Sequence, residues 1–303
     1  MTLRDELHGY RAGRTSKEQY IENMHGLHQS LFDYAEFIGG TDVSEIQITD
    51  HQVTITFRSS KIKVICDRSD RRAAPMEILN FNSYEKSYAD IFFGLIQKGD
   101  TVFDIGANTG WYTMHLAKYF PESAIFAFEP VRGTFTQLKN NCALNKLGNV
   151  KLFNFGFSNE KKKMTFYYEP EYSGRASGAR LVDSPGVQKL SCNVKRLDDF
   201  VKTAKTSVDL IKCDCEGAEL LVFQGGLQTL KKYKPSILTE MVRKWSAKFN
   251  YHPNQIIEML KELGYGCYSV KAAKLIPFKA MNEDTKDTNF FFLHRSRQVR
   301  GFK

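Results

Sequence analysis

A doubly wound, mostly parallel α/β sheet is the fold that this chain of 303 residues predicts, and three observations carry the prediction. From residue 100 onward, short apolar runs alternate with stretches of helical periodicity, the signature of strands joined by crossover helices. The first run passes into a D-x-G-x-x-x-G turn at residues 104–110, DIGANTG, and then into a helix. The last two runs, GCYSV and NFFFLHR, have only a loop between them, so the final strand should lie antiparallel to its neighbour.

The elements follow in chain order. Residues 1–40 read as a helical segment: Tyr20, Met24, Leu27, Leu31, Tyr34, Ala35 and Ile38 keep helical spacing until Gly39-Gly40 stops it. Residues 41–98 read as a small β cap and the segment leading into the main domain. Within them IQITDHQVTITF and KIKVIC alternate apolar and polar residues, which predicts an antiparallel meander over about 45–67. Residues 99–303 form the main domain, with strands in TVFDIGA, AIFAFEP, VKLFNFG, VDLIKCD, SILTEM, GCYSV and NFFFLHR. Helices are expected at about 110–120, 131–146, 217–233 and 253–263. After the third strand, SNEKKKMTFYY reads as a β-hairpin, with Lys161-Lys162-Lys163 in its turn, and SGRASGARLVDSPG as a long polar loop.

Composition bounds the function. Hydrophobic residues make up 42% of the chain and mean hydropathy is −0.40, values of an ordinary folded protein with a core. No apolar run reaches the roughly 18 residues of a membrane helix, and MTLRDELHGYRAGR lacks a signal-peptide core. A cytoplasmic protein without a membrane partner is therefore expected. Six cysteines without C-x-x-C spacing point to reduced, mostly buried thiols. The net charge of +9 raises the question of a nucleic-acid partner, yet the charge gathers in lysine runs that suit a turn and a helix C-terminus, and in the tail HRSRQVRGFK. An RNA-modifying or nucleic-acid-binding protein is the alternative reading; steep salt dependence of oligonucleotide binding would support it.

In a doubly wound sheet the ligand lies across the carboxyl ends of the strands, which is where Asp104, Gly106, Ala107, Asn108 and Gly110 fall. A dinucleotide would want G-x-G-x-x-G around its pyrophosphate. A buried carboxylate at about 4 Å would repel a phosphate by roughly 4 kcal/mol at an effective dielectric near 20. Asp104 instead suits a cation or an ammonium donor, with Asn108 or Thr109 as the cap of the following helix. Glu129 ends the second strand, where a carboxylate accepts both hydroxyls of a ribose. A positively charged nucleoside without phosphate fits both acids, and S-adenosylmethionine answers that description.

The fourth strand ends in VDLIKCDCEGAEL, which sets Asp214, Glu216 and Glu219 at the same edge. Capping of its own helix accounts for Glu219. Asp214 has three readings: acceptor for the cofactor's amino group, general base, or ligand of a hard divalent cation. At this point VFDIGANTGWYT, AFEP, VKRLDDF, IKCDCEGAE with LLVFQGGLQTLKKYKP, and ILTEM resemble the FkbM family of S-adenosylmethionine-dependent methyltransferases over about residues 84–295. The resemblance implies the class I methyltransferase (Rossmann-like) seven-stranded sheet with its last strand antiparallel, here with an N-terminal helix and a small β cap. It implies methyl transfer, usually to oxygen, on sugars, natural-product hydroxyls or carboxylates.

Carried over by residue, the resemblance makes Asp104, Gly106, Ala107, Asn108 and Gly110 the methionine and ribose side of the cofactor site, with Trp111 at its mouth. Glu129 and Pro130 hold the ribose, Glu85 reaches the cofactor, and Asn154, Gly156, Phe157 and Ser158 border the adenine. Asp214 or Glu216 would take the acceptor's proton, with Lys212 or Glu240 as second choices; a divalent metal at Asp214 would do the same work by lowering the hydroxyl's pKa. A small-molecule acceptor, carbohydrate or acidic, should meet the cap, the loop at 172–188 and VRKWSAKFNYHP, where Trp245, Phe249 and Tyr251 offer a wall and Arg175, Arg180, Arg243 and Lys244 offer cations. His115 and His252 read as structural, and the N-terminal helix offers a surface for a homodimer.

Overall fold

Gly13, at a φ of +68°, interrupts the single helix expected over the first forty residues. The computed structural model, which describes residues 2–296, has two helices there. Helix α1 (Leu3–Arg11) opens with a Thr2/Asp5 capping box, and α2 (Lys17–Phe37) begins where the Ser16 hydroxyl accepts the Gln19 N–H. Tyr10 stacks on Tyr20 with centroids 4.5 Å apart, and Asn23 donates to Glu6 at 2.9 Å, so the pair folds as a hairpin.

The meander is present as β1 (Val43–Thr49), β2 (Gln52–Phe57) and β3 (Lys63–Ile65), antiparallel throughout. Its connection to the main domain is helical, with α3 (Ala74–Phe81) and α4 (Lys86–Gly94). The alternation that announced the strands leaves Val43, Ile55, Phe57 and Val64 on one face, and they pack against Met114, Leu138 and Cys142 of the main domain.

The main domain starts with β4 (Thr101–Ile105), α5 (Trp111–Tyr119), β5 (Ala124–Phe128), α6 (Arg132–Leu144) and β6 (Val150–Phe153). Asn141 of α6, fully buried, accepts the Ile65 N–H and donates to Thr109 O. Asn145 exchanges bonds with both backbone groups of Lys63. The cap is thus tied by hydrogen bonds to the helix behind β5.

Next come β7 (Gly156–Phe157), β8 (Lys162–Tyr168) and β9 (Gln188–Lys195). The hairpin expected within SNEKKKMTFYY is corrected here: β8 pairs with β9, beyond the polar loop, and Lys162 and Lys163 lie in the strand and not in a turn. With β7 parallel to β9, these strands form a separate three-stranded sheet.

The chain continues through α7 (Leu197–Ala204), β10 (Leu210–Cys213), α8 (Glu219–Gln224), α9 (Leu227–Tyr233), β11 (Ser236–Glu240), α10 (Arg243–Ser246), α11 (Asn254–Glu262), β12 (Tyr265–Lys271), β13 (Lys274–Pro277) and β14 (Asn289–His294). The helix expected over 217–233 is two, because Gly225 and Gly226 are pressed against other chain segments. A Cβ on Gly225 would lie 2.1 Å from Ser158 O, and one on Gly226 2.7 Å from Leu197 Cδ2. The main sheet has eight strands, in the order β13-β12-β14-β11-β10-β4-β5-β6, where seven were expected. Strand β14 lies antiparallel to both β12 and β11, as expected of a final strand that follows without a crossover helix; β13 is the addition within that connection, a hairpin partner of β12. The rest of the order is that of a class I methyltransferase sheet.

Phenylalanines fix the end of β5. Phe128 lies 5.0 Å from Phe153, 4.7 Å from Phe157 and 5.0 Å from Phe200, centroid to centroid, and burial of each ring contributes about 1.5–3 kcal/mol. Among the described residues no helix is long and apolar enough to cross a membrane. The basic tail's residues 297–303 lie outside the described ones.

Candidate active site

Strands β11, β10, β4 and β5 are neighbours, so the acids that close their apolar runs arrive side by side. Glu240, Asp214, Asp104 and Glu129 succeed one another across the carboxyl edge, where the connections leaving β4 and β10 run in opposite directions and open a crevice. The crevice is a cavity of about 410 Å³, within the range that takes a nucleoside-sized ligand.

The turn after β4 forms its floor. The N–H groups of Gly106 and Ala107 both reach Phe128 O at 3.0 Å, and Asp214 N reaches Ile105 O at 3.0 Å. Gly106 has a φ of +77°, and a Cβ there would lie 1.8 Å from the Asp214 carbonyl oxygen. Glycine is required at this point by the approach of β10's end. Gly110, at φ +98°, leaves room for Leu138, 2.5 Å from where a Cβ would stand. Neither Asn108 nor Thr109 caps α5, contrary to expectation: Gly110 is the cap residue and no side chain takes that place. Asn108 is engaged elsewhere, its N–H on Glu129 Oε2 at 3.1 Å and its Oδ1 accepting the Ser173 hydroxyl.

Glu129, 5% exposed, lines the cavity. Its two oxygens accept the N–H groups of Asn108 and Val131, and each retains a lone pair for a further donor. Burial pushes its pKa up to about 7 against those two bonds. Asp104 is fully buried and lies beneath the cavity wall; its Oδ2 accepts the Thr113 hydroxyl at 2.5 Å and its Oδ1 has no hydrogen-bond partner. Burial raises its pKa, opposed by the Lys212 ammonium.

Lys212 organises this charge. Its Nζ lies 3.2 Å from Asp214 Oδ2, 3.3 Å from Gly106 O and 4.0 Å from Asp104 Oδ1, over the ring of Tyr112. Burial alone would lower its pKa, but the charges around it, Asp214 and Asp104 foremost and then Tyr84 and Glu85, together outweigh burial and hold it well above the usual lysine range. That fixed cation is not a base, which separates it from the carboxylates with which the sequence grouped it. Glu85 accepts the Tyr112 hydroxyl at 2.8 Å, and burial raises its pKa.

Asp214, Glu216 and Glu240 converge, with one oxygen of each within 4.8 Å of the others. Glu216 sits at a φ of +51°, a strained conformation for a non-glycine residue. Its turn is held from below: Glu219 accepts the N–H groups of Cys215 and Gly217, and the Tyr251 hydroxyl donates to Gly217 O at 2.8 Å. A Cβ on Gly217 would stand 2.8 Å from the Trp245 backbone. Burial first, then the charge of Asp214, push Glu216 and Glu240 well above the usual carboxylate range. Three facing carboxylates of this kind can share protons or hold a hard divalent cation.

Of the residues singled out in the sequence, the cavity wall takes Glu85, Gly106, Ala107, Asn108, Trp111, Glu129, Pro130, Gly156, Phe157, Ser158, Lys212, Asp214, Glu216 and Glu240. Asp104, Gly110 and Asn154 do not reach the wall; the Asn154 side chain turns to the carbonyls of Glu129 and Pro130. Of the acceptor candidates, Arg175 and Trp245 line the cavity. Arg180, Arg243 and Lys244 do not, Phe249 packs beside the main core, and Tyr251 is buried under the Glu216 turn. His115 is buried, bonded to Trp111 O and pushed down to about 4 by that burial, as a structural histidine should be. All six cysteines are free, four of them buried.

Sequence reasoning set the loop at 172–188, with Arg175, against the acceptor, but did not foresee that the start of this loop roofs the glycine turn. The segment before β9 brings Tyr172, Ser173 and Arg175 over the glycine turn, with the Arg175 guanidinium 4.4 Å above the Tyr172 ring. Asp70, 4% exposed, fastens it: one oxygen accepts the N–H groups of Arg72 and Ala73, the other that of Ser173.

The methyltransferase FkbM domain family matches residues 104–267. Methyltransferase 1 of Beauveria bassiana is 28% identical over 142 residues, 41% of this chain and 57% of that protein. The 2-O-methyltransferase NoeI of Sinorhizobium fredii is 30% identical over 153 residues, 46% of this chain and 62% of that protein. The match thus spans less than two thirds of either relative. A crystal structure of a methyltransferase FkbM from Methylobacillus flagellatus covers 68% of this chain and 47% of that one, at 17% identity and a TM-score of 0.43.

Proposed function

This chain belongs to the FkbM methyltransferase family, and from that membership we propose that it transfers a methyl group from S-adenosylmethionine to an acceptor oxygen, on a sugar, a natural-product hydroxyl or a carboxylate. The observation that carries the oxygen reading is the meeting of Asp214, Glu216 and Glu240 at the cavity wall, two of them pushed by burial well above the usual carboxylate range, which makes them stronger bases than exposed glutamates. The name of the related 2-O-methyltransferase supports the same reading.

The residues present fit the cofactor. Glu129 offers free lone pairs to a ribose diol, the buried Asp214 Oδ1 lacks a partner and suits an ammonium, and the wall's carboxylates favour a cation and repel a phosphate. When bound, S-adenosylmethionine supplies an electrophilic methyl group on a sulfonium. The protein's part is alignment, exclusion of water and management of one proton. Glu129 and the turn at 106–108 bind the nucleoside side. Lys212 holds Asp214 in place from behind, and Tyr172, Ser173 and Arg175 cover the cavity. Glu216 or Glu240 takes the acceptor's proton at a carboxylate oxygen, and a divalent cation on the same three acids would lower the hydroxyl's pKa to the same end.

The test uses methyl-labelled S-adenosylmethionine with carbohydrate, hydroxyl and carboxylate acceptors. Alkali-stable label marks an ether and alkali-labile label an ester; label appearing only on nitrogen or carbon would sink the oxygen reading. Replacement of the base, Glu216→Gln or Glu240→Gln, should lower kcat by roughly 10²–10⁴ while S-adenosylhomocysteine binds within a few-fold of wild type.

A further inference from the structure

Helix α2 stands clear of the catalytic body, and no residue of its 21 is buried. It packs in the main on α1 and on the turn at Ile38–Gly40. Isolated helices are marginal in water, and an amphipathic helix draws most of its stability from a partner. Leu31, Phe32, Tyr34 and Phe37 are nonetheless 53, 65, 49 and 53% exposed, and Ile21 56%. With each aromatic side chain offering about 150–250 Å², these five leave roughly 500 Å² of apolar surface bare, at the upper end of what a monomer shows.

The spacing identifies what would cover it. Tyr20, Met24, Leu27, Leu31, Tyr34 and Ile38 follow at intervals of 4, 3, 4, 3 and 4, the a/d seam of a coiled coil and narrower than the stripe of a helix lying on a globular core. The positions beside the seam are Ile21, His28 and Ala35 on one side and Asn23, Ser30 and Phe37 on the other. None carries a formal charge with histidine neutral, so an identical helix meets no like charge there. The charge of the helix is acidic in balance, Lys17 against Glu18, Glu22, Asp33 and Glu36, which opposes an anionic lipid surface or a nucleic acid despite the chain's overall basicity. Part of the seam already holds α1, through the stacking of Tyr10 on Tyr20. A helical hairpin with a broad apolar face is half of a four-helix bundle.

We propose that the α1–α2 hairpins of two copies of this chain pack about a two-fold axis into a four-helix bundle and make the protein a homodimer. Without Phe32, which lies off the seam, the bare apolar surface of two copies comes to roughly 800 Å², and the polar groups of His28, Ser30 and Asn23 beside the seam carry the interface toward the floor of about 1,000 Å² for a specific one, with Leu31 and Tyr34 at its centre. The two catalytic bodies hang outside the bundle, so each cavity stays complete in its own copy.

Sedimentation equilibrium of the full chain at tens of micromolar tests this. Wild type should weigh twice the 34.8 kDa of one chain, the Leu31→Glu/Tyr34→Glu variant one chain mass with an unchanged melting temperature of the body, and Phe81→Glu, an exposed apolar residue outside the hairpin, the dimer mass. A monomeric wild type, a dimer indifferent to the double variant, or a dimer dissolved by Phe81→Glu would each overturn the proposal.

Discussion

Glu129 and Gly106 show at the residue scale how the site is constrained. Folded Glu129 keeps its proton to about pH 7, whereas an exposed glutamate releases it near 4.5. Glu219, buried beneath the Glu216 turn, is raised to about the same value by burial. Protonation therefore favours the folded state: the stabilisation is complete below pH 4.5 and is lost as pH rises through 7, on the order of 3 kcal/mol for each group. Melting of the ligand-free protein should accordingly fall between pH 5 and 8, and a flat profile would contradict the assigned burial. A ribose diol needs the ionised form as acceptor, so S-adenosylhomocysteine should bind about tenfold more weakly at pH 6 than at pH 8, and Glu129→Gln should flatten that dependence. Gly106→Ala places a Cβ 1.8 Å from the Asp214 carbonyl at a positive φ. Urea unfolding should show a loss of about 2–5 kcal/mol; a loss under 1 kcal/mol would mean that β10 can retreat.

Elements differ in how plainly the sequence declares them. The five parallel strands of the site are legible because each is a short apolar run closed by a polar residue, and the acids Asp104, Glu129, Asp214 and Glu240 at their ends are legible for the same reason. Strand β13 is not, because its hairpin turns on Ala272 and Ala273, both at positive φ, where a tight hairpin ordinarily announces itself with Asn-Gly. The split between α8 and α9 is set by Ser158 and Leu197 arriving from elsewhere in the chain, and the pairing of β8 with β9 spans a loop without periodicity. The loop at 172–188 and Arg175 were expected beside the acceptor, but their place over the glycine turn was not legible, because Asp70, about a hundred positions earlier, fastens the segment at Ser173 N–H. The docking of the cap is likewise a matter of two asparagines. Asn141→Leu strips Ile65 N–H and Thr109 O of their partners, and unpaired buried groups cost about 1–3 kcal/mol each, so chemical unfolding should report about 2–4 kcal/mol; a change below 0.5 kcal/mol would show that apolar packing alone holds the cap.

The whole molecule joins three layers of decision: a helical hairpin with a bare apolar face, a β cap tied to α6, and a sheet whose strand order gathers four acids from four neighbouring strands. The strand order alone makes a crevice. On the proposed function the acids decide what enters it: Asp214, Glu216 and Glu240 on the wall, with Asp104 beneath it, would favour a cation over a pyrophosphate. Calorimetric titration with S-adenosylhomocysteine at pH 8, on wild type and on Glu129→Ala, tests that claim most directly. The account predicts micromolar binding at one site per chain, weakened at least tenfold in the variant. Absence of binding to wild type, or equal binding to both, would mean that the carboxyl edge of this sheet holds a different ligand.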